Sequence, residues 1–107
     1  MQKSSLILTF EESPHIKVLD FFIAFEDFDY PIAQIAKETE VKWETAKKVI
    51  DSLLQRRILK KTRRLGKAQL YMLDKGNPLT KLLIEIDMKI SKFFVNKELE
   101  RHKLVVS

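Results

Sequence analysis

Apolar residues recur at three- and four-residue spacings through Ile16, Leu19, Phe22, Ile23 and Phe25, the period of a helix with a broad buried face. Ser13 and Pro14 open it, a side-chain oxygen at the cap followed by a residue whose missing N–H costs nothing in the first turn. The pattern predicts a first helix over 14–28. Upstream, Leu6–Phe10 is apolar and fits either a short strand or an arm that covers the core or reaches a second subunit. Asp29-Tyr30-Pro31 breaks the helical period, and Pro31 suits a new first turn. Ile32, Ile35 and Ala36 then give a stripe of about two turns. A third helix is expected from about 42 to 56, with Ala46, Val49, Ile50, Leu53 and Leu54 inward, so that two helices are joined by a tight turn at Thr39-Glu40-Val41.

After Ile58 the period changes. Residues 59–64 and 68–73 flank Leu65-Gly66-Lys67, and alternation is clearest where Leu70 and Met72 oppose Gln69 and Tyr71. Gly66 sits where a hairpin needs positive φ. A two-stranded hairpin is the expectation. Asn77-Pro78 repeats the cap-plus-proline signal and opens a last helix from 78 to about 96 or beyond. Its residues Leu79, Leu83, Ile86, Ile90 and Phe93 follow the four-three spacing of a coiled-coil seam, while Leu82, Ile84, Met88, Phe94 and Val95 widen the apolar area to other sides. A helix apolar on two sides needs two partners: its own domain, and the same helix of a second subunit.

Charge adds direction to this outline. The chain has 107 residues, room for one compact unit, and a net charge of +5. Residues 1–40 hold three lysines against eight acids, residues 41–75 eleven basic residues against three acids, and residues 76–107 six against four. A cationic middle third reads as a surface for a polyanion. Nucleic acid ranks first; an anionic membrane ranks well below, because turn chemistry interrupts the basic stretch. From Arg56 to Gln69 there are seven cations (Arg56, Arg57, Lys60, Lys61, Arg63, Arg64, Lys67) and no acid. One or two lysines protect an exposed strand edge; seven cations without counter-charge fit a phosphate backbone or an arginine inserted into a minor groove.

Several chemistries fall away. Cysteine is absent, which removes disulfides, thiolate nucleophiles and Cys-ligated zinc, and His15 with His102 cannot assemble the three or four ligands of a metal site. No cofactor, no metal and no enzyme activity is expected, since no Gly-rich loop, zincin-type pair or triad occurs. The longest apolar run, Phe21–Phe25, is far short of a membrane span, and Met1–Phe10 lacks a signal-peptide layout, so a cytoplasmic location is expected.

The order helix, helix, turn, helix, hairpin, long helix is that of a winged helix-turn-helix domain. The predicted fold class is mainly α with a small β-hairpin. Residues 1–12 form an N-terminal arm, 13–75 the DNA-binding unit, 76–97 a dimerisation helix and 98–107 a tail. The start of the third helix would face the major groove with Lys42, Trp43, Glu44, Thr45, Lys47 and Lys48: lysine donates to guanine acceptors, Thr45 bonds or offers its methyl to thymine, and Glu44 accepts from cytosine. The wing, 59–73, contributes Lys61, Arg63, Arg64 and Lys67. Trp43 either stacks on the nucleic acid or lids the gap between the second and third helices.

The stretches Ser13–Phe22, Asp29–Val41, Lys61–Tyr71 and Asn77-Pro78-Leu79 resemble the small archaeal winged helix-turn-helix transcriptional regulators loosely grouped with the MarR and ArsR families, over about residues 6–95. The resemblance implies a homodimer on double-stranded DNA, with the third helix in the major groove, the wing on the backbone or minor groove, and the C-terminal helix holding the dimer. Two positions depart from the pattern: Lys42 stands where such proteins often carry a serine or threonine cap, and Trp43 is bulkier than a usual groove residue. A different class is a winged-helix protein-interaction module, favoured by the acidic N-terminal region, in which Glu11, Glu12, Glu26, Asp27 and Asp29 form a rim for a basic partner. RNA binding would want exposed aromatics on a sheet, and Tyr71 is the one candidate.

Overall fold

The computed structural model describes residues 7, 9 and 12–106, with side chains as far as residue 100. Helix α1 spans Pro14–Ala24, capped as expected: the Ser13 side chain accepts from the Ile16 N–H at 3.2 Å. It stops four residues short of the predicted end. Glu26, Asp27 and Asp29 would place carboxylates at the negative end of the helix dipole, and no basic residue sits in the last turn to offset them. Phe25 is therefore the C-cap and about half exposed, against the inward position its spacing suggests, though its ring still leans on Phe21 and Tyr30.

Strand β1, Tyr30–Pro31, is an element the periodicity does not show. It pairs antiparallel with β3, Ala68–Leu73, which pairs in turn with β2, Leu59–Leu65. The sheet is three-stranded, ordered β1-β3-β2: the expected hairpin is present as β2–β3, and β1 adds a third strand to it. Pro31 is tolerated because an edge strand needs no N–H on its open side. It also stands as N-cap to α2, Ile32–Thr39.

Helix α3, Trp43–Gln55, buries Ala46, Val49, Ile50 and Leu53. Both α2 and α3 end in the same way. Glu40 (φ 56°) and Arg57 (φ 57°) are left-handed, and the next residues close the helices by Val41 N–H to Ala36 O and Ile58 N–H to Leu53 O, each 3.0 Å. These are Schellman caps built without glycine.

The core unites Val18, Phe21 and Phe22 of α1, Ile35 of α2, Val49, Ile50 and Leu53 of α3, and Ile58, Leu59, Tyr71 and Leu73. Full burial of side chains such as Phe22 and Ile50 stabilises by about 1.5–3 kcal/mol each. Leu70 and Tyr71 are both buried, so the alternation seen in β3 overstates its exposed side: β3 is the central strand and is covered on both faces. With Tyr71 inside, the RNA reading loses its aromatic.

Helix α4 spans Pro78–Val106, about 43 Å at the standard rise. The helix thus continues through most of the segment 98–107 expected as a tail. Asn77 caps it, accepting from the Leu79 N–H at 3.0 Å while its amide donates to the Arg56 and Arg57 carbonyls at 3.2 and 2.9 Å. One side chain thereby ties the C-terminus of α3 to the start of α4. Thr80 is fully buried, and Leu83, Ile84 and Ile90 pack on the core. Leu79, Leu82, Ile86 and Phe93 lie outward on one side of α4, and Met88, Val95 and Leu99 on the other. The predicted seam therefore divides: Leu79, Ile86 and Phe93 are exposed, whereas Leu83 and Ile90 serve the chain's own core. The expected arm, 1–12, lies outside the described residues except for Ile7, Thr9 and Glu12. Ile7 and Thr9 are helical, and Thr9 lines a cavity of about 440 Å³ with Lys89, Ile90, Phe93 and Phe94.

Candidate nucleic-acid interface

Helix α3 is fixed by its buried stripe, which leaves the opposite face of its first turns free. Lys42, Trp43, Glu44, Lys47 and Lys48 are exposed and Thr45 is half-buried. Lys42 occupies the N-cap position, and its side chain caps nothing. Lys47 pairs with Asp51 at 3.2 Å, one turn on, whereas Lys42 and Lys48 have no carboxylate partner among the described residues. Trp43 is 48% exposed, leaving a large ring edge in solvent at the start of the helix.

The wing is shaped by two backbone features. Gly66, at φ 61°, closes the tip between Leu65 and Ala68. Lower down, the ladder slips: Lys61 faces Tyr71, but Arg64 faces Gln69, so one extra residue is accommodated at Thr62-Arg63. Cross-strand partners share a face, and the slip consequently puts Lys61 and Arg64 on one face instead of Lys61 and Arg63. Arg64 also donates to the Lys67 carbonyl near the tip, at 3.5 Å. Lys60, Lys61, Arg64 and Lys67 are exposed and carry no ion pair among the described residues.

Arg63 differs. Its Nε and Nη2 donate to Asp29 at 3.1 and 3.3 Å, and the Thr62 hydroxyl donates to the same carboxylate at 2.5 Å. The Arg63 hydrogen bond, then that of Thr62, holds the Asp29 carboxyl below its usual range, and Asp29 raises the Arg63 guanidinium in return. Nearby, Lys75 reaches Asp27 at 2.8 Å and Glu26 at 3.9 Å, and the Asp27 hydrogen bond raises the Lys75 ammonium. The acidic segment 26–29 is thus occupied by the chain's own cations, on β2 and on the turn after β3. The sequence sets Arg63 among the wing cations and Asp29 on an acidic rim; the structure joins them. Neither reading had a local signal for it, because the partners are 34 positions apart.

Among the described residues no group of three or more His, Asp or Glu could hold a metal ion, and no helix is long and apolar enough to cross a membrane. His15 is exposed in the first turn of α1, and the His102 side chain lies outside those described.

The sequence matches no protein-family model and no curated protein. Solved structures do resemble the chain. Lactococcus lactis ZitR, a C30AH42A mutant in apo form, is similar with a TM-score of 0.66 and 15% identity over 94% of this chain and 80% of its own. MepR, a transcription regulator of the Staphylococcus aureus multidrug efflux pump MepA, aligns at 0.63 and 15% over 94% and 78%. The homodimeric winged helix-turn-helix DNA-binding domain of Mycobacterium bovis Mb0332, a possible ArsR-family transcriptional regulator, aligns at 0.57 and 16% over 82% and 76%. The chain has the winged helix-turn-helix fold, mainly helical, with a small antiparallel sheet and a long C-terminal helix.

Proposed function

We propose that the chain is a sequence-specific double-stranded DNA-binding transcriptional regulator that works as a homodimer, without catalysis. Helix α3 enters the major groove with Lys42, Thr45, Lys47 and Lys48, and the wing lays Lys61, Arg64 and Lys67 on the backbone or minor groove. The observation that carries this reading is that the wing cations Lys61, Arg64 and Lys67, beside α3, which packs against β2, have no ion-pair partner among the described residues. A merely soluble surface would have matched them with carboxylates. The outward stripe of Leu79, Leu82, Ile86 and Phe93 supports self-association through α4. The protein-docking alternative has less acidic surface to offer, because Glu26, Asp27 and Asp29 of its proposed rim are engaged internally.

Footprinting on genomic fragments at modest salt tests the reading. Two protected half-sites about one helical turn apart are expected. Protection that is absent, or spread evenly over every fragment, excludes a sequence-specific regulator.

A further inference from the structure

We propose that Asp29 is a positioning residue for the wing: it grips Arg63 so that the guanidinium is presented in one orientation to an anionic oxygen of the duplex. The inference rests on the DNA-binding reading above. Asp29 holds one edge of the guanidinium bidentately, through Nε and Nη2. Nη1 is left without an acceptor among the described residues. The side chains are unequally placed, Asp29 at 16% exposure and Arg63 at 62%, so the carboxylate is mostly shielded while the cation faces outward.

Two further contacts and the ladder slip shape this geometry. Thr62 donates its hydroxyl to Asp29, the slipped ladder releases Thr62-Arg63 from strand pairing, and Gln69 Nε2 donates to the Arg63 carbonyl at 3.1 Å. A planar fork held on one side and open on the other donates in a defined direction, which a mobile lysine cannot do. The Asp29 charge is already compensated by Arg63, so it repels an approaching phosphate less than a bare carboxylate would.

The two roles Asp29 could have differ in sign. As a simple negative charge near a cationic wing, its replacement by asparagine would tighten DNA binding and steepen the salt dependence. As a grip on Arg63, D29N weakens binding even though the net charge rises by one. Binding of one footprint-derived duplex is measured for wild type, D29N, R63A, R63K and the double variant D29N/R63A, with the Arg63 Nε–H signal followed by NMR in the free protein. The expected result is a roughly three- to tenfold loss for D29N, a loss for R63K close to that for R63A, no further loss from D29N once Arg63 is alanine, and an Nε–H signal sharp in wild type and averaged in D29N. Equal or tighter binding by D29N overturns the inference while leaving the DNA reading intact. An undiminished D29N effect in the R63A background also overturns it, by assigning Asp29 a general structural role through Thr62. Wild-type protein that binds no duplex removes the DNA reading itself, and the inference with it.

Discussion

The wing and helix α4 both project from the same small core, and both are largely exposed, yet their exposed chemistry is opposite. The wing shows Lys60, Lys61, Arg64 and Lys67; α4 shows Leu79, Leu82, Ile86 and Phe93. Cations that lack counter-charges favour a polyanion, whose condensed counterions are released on contact. An apolar stripe gains nothing from a phosphate and is stabilised by another apolar stripe. Exposure alone therefore assigns no partner; the side chains that are left exposed do. Geometry reinforces the contrast, since the wing is bent by a slipped ladder and a grip from Asp29, whereas α4 is an unbroken rod whose faces keep their separation over many turns.

The largest expected effect separates the two faces of α4. Ile86→Lys puts a charge in the outward stripe and should yield monomers by light scattering with the fold retained in circular dichroism. Ile90→Lys strikes the face packed on the core and should lower Tm at every protein concentration. Equal behaviour of the two variants would erase the distinction between seam and core. Next comes the wing. Combined alanine substitution of Lys61, Arg64 and Lys67 should weaken binding to all duplexes alike and flatten the salt slope by roughly one unit per lost phosphate contact. Changes in α3 are smaller and selective: Thr45→Ala or Lys47→Ala should alter preference at a few base positions, by about 1–3 kcal/mol each, in a competition assay over randomised sites. A uniform loss across sequences would place those residues on the backbone instead.

The smallest effect concerns stability. Glu40→Gly relieves a left-handed non-glycine residue and should stabilise by about 0.5–1 kcal/mol in urea unfolding, without changing DNA affinity. Acid supplies a related check on the Asp29 grip. Its carboxyl is held below the ordinary range in the folded chain, so its contribution is present above that range and is lost as pH falls through the depressed value. Asp87 has the reverse sign. Burial, and secondarily the Asp20 charge, raises its carboxyl, so its ionisation opposes folding as pH rises above the ordinary range.

Local chemistry makes much of this legible in the sequence. Ser13-Pro14 and Asn77-Pro78 open helices as their residue types require, and Gly66 marks the hairpin tip. What escaped was long-range or too short to have a period. Two residues cannot show strand alternation, so Tyr30–Pro31 passed as a helix start. The caps at Glu40 and Arg57 carry no glycine to announce them. The grip on Arg63 depends on a ladder slip that only pairing across strands reveals. The division of the α4 seam followed from which turns meet the core, a property of the packed domain and not of the heptad spacing.

The central assignment is that unpaired wing cations hold a duplex. It is addressed most directly by titrating wild type and the Lys61/Arg64/Lys67 triple-alanine protein with a labelled duplex over a salt series. Wild type should bind with a steep negative slope of log affinity against log salt, and the triple variant with a shallower slope and lower affinity at every point. Superimposable lines for the two proteins, or a flat line for wild type, would rule the wing out as a DNA-contacting element.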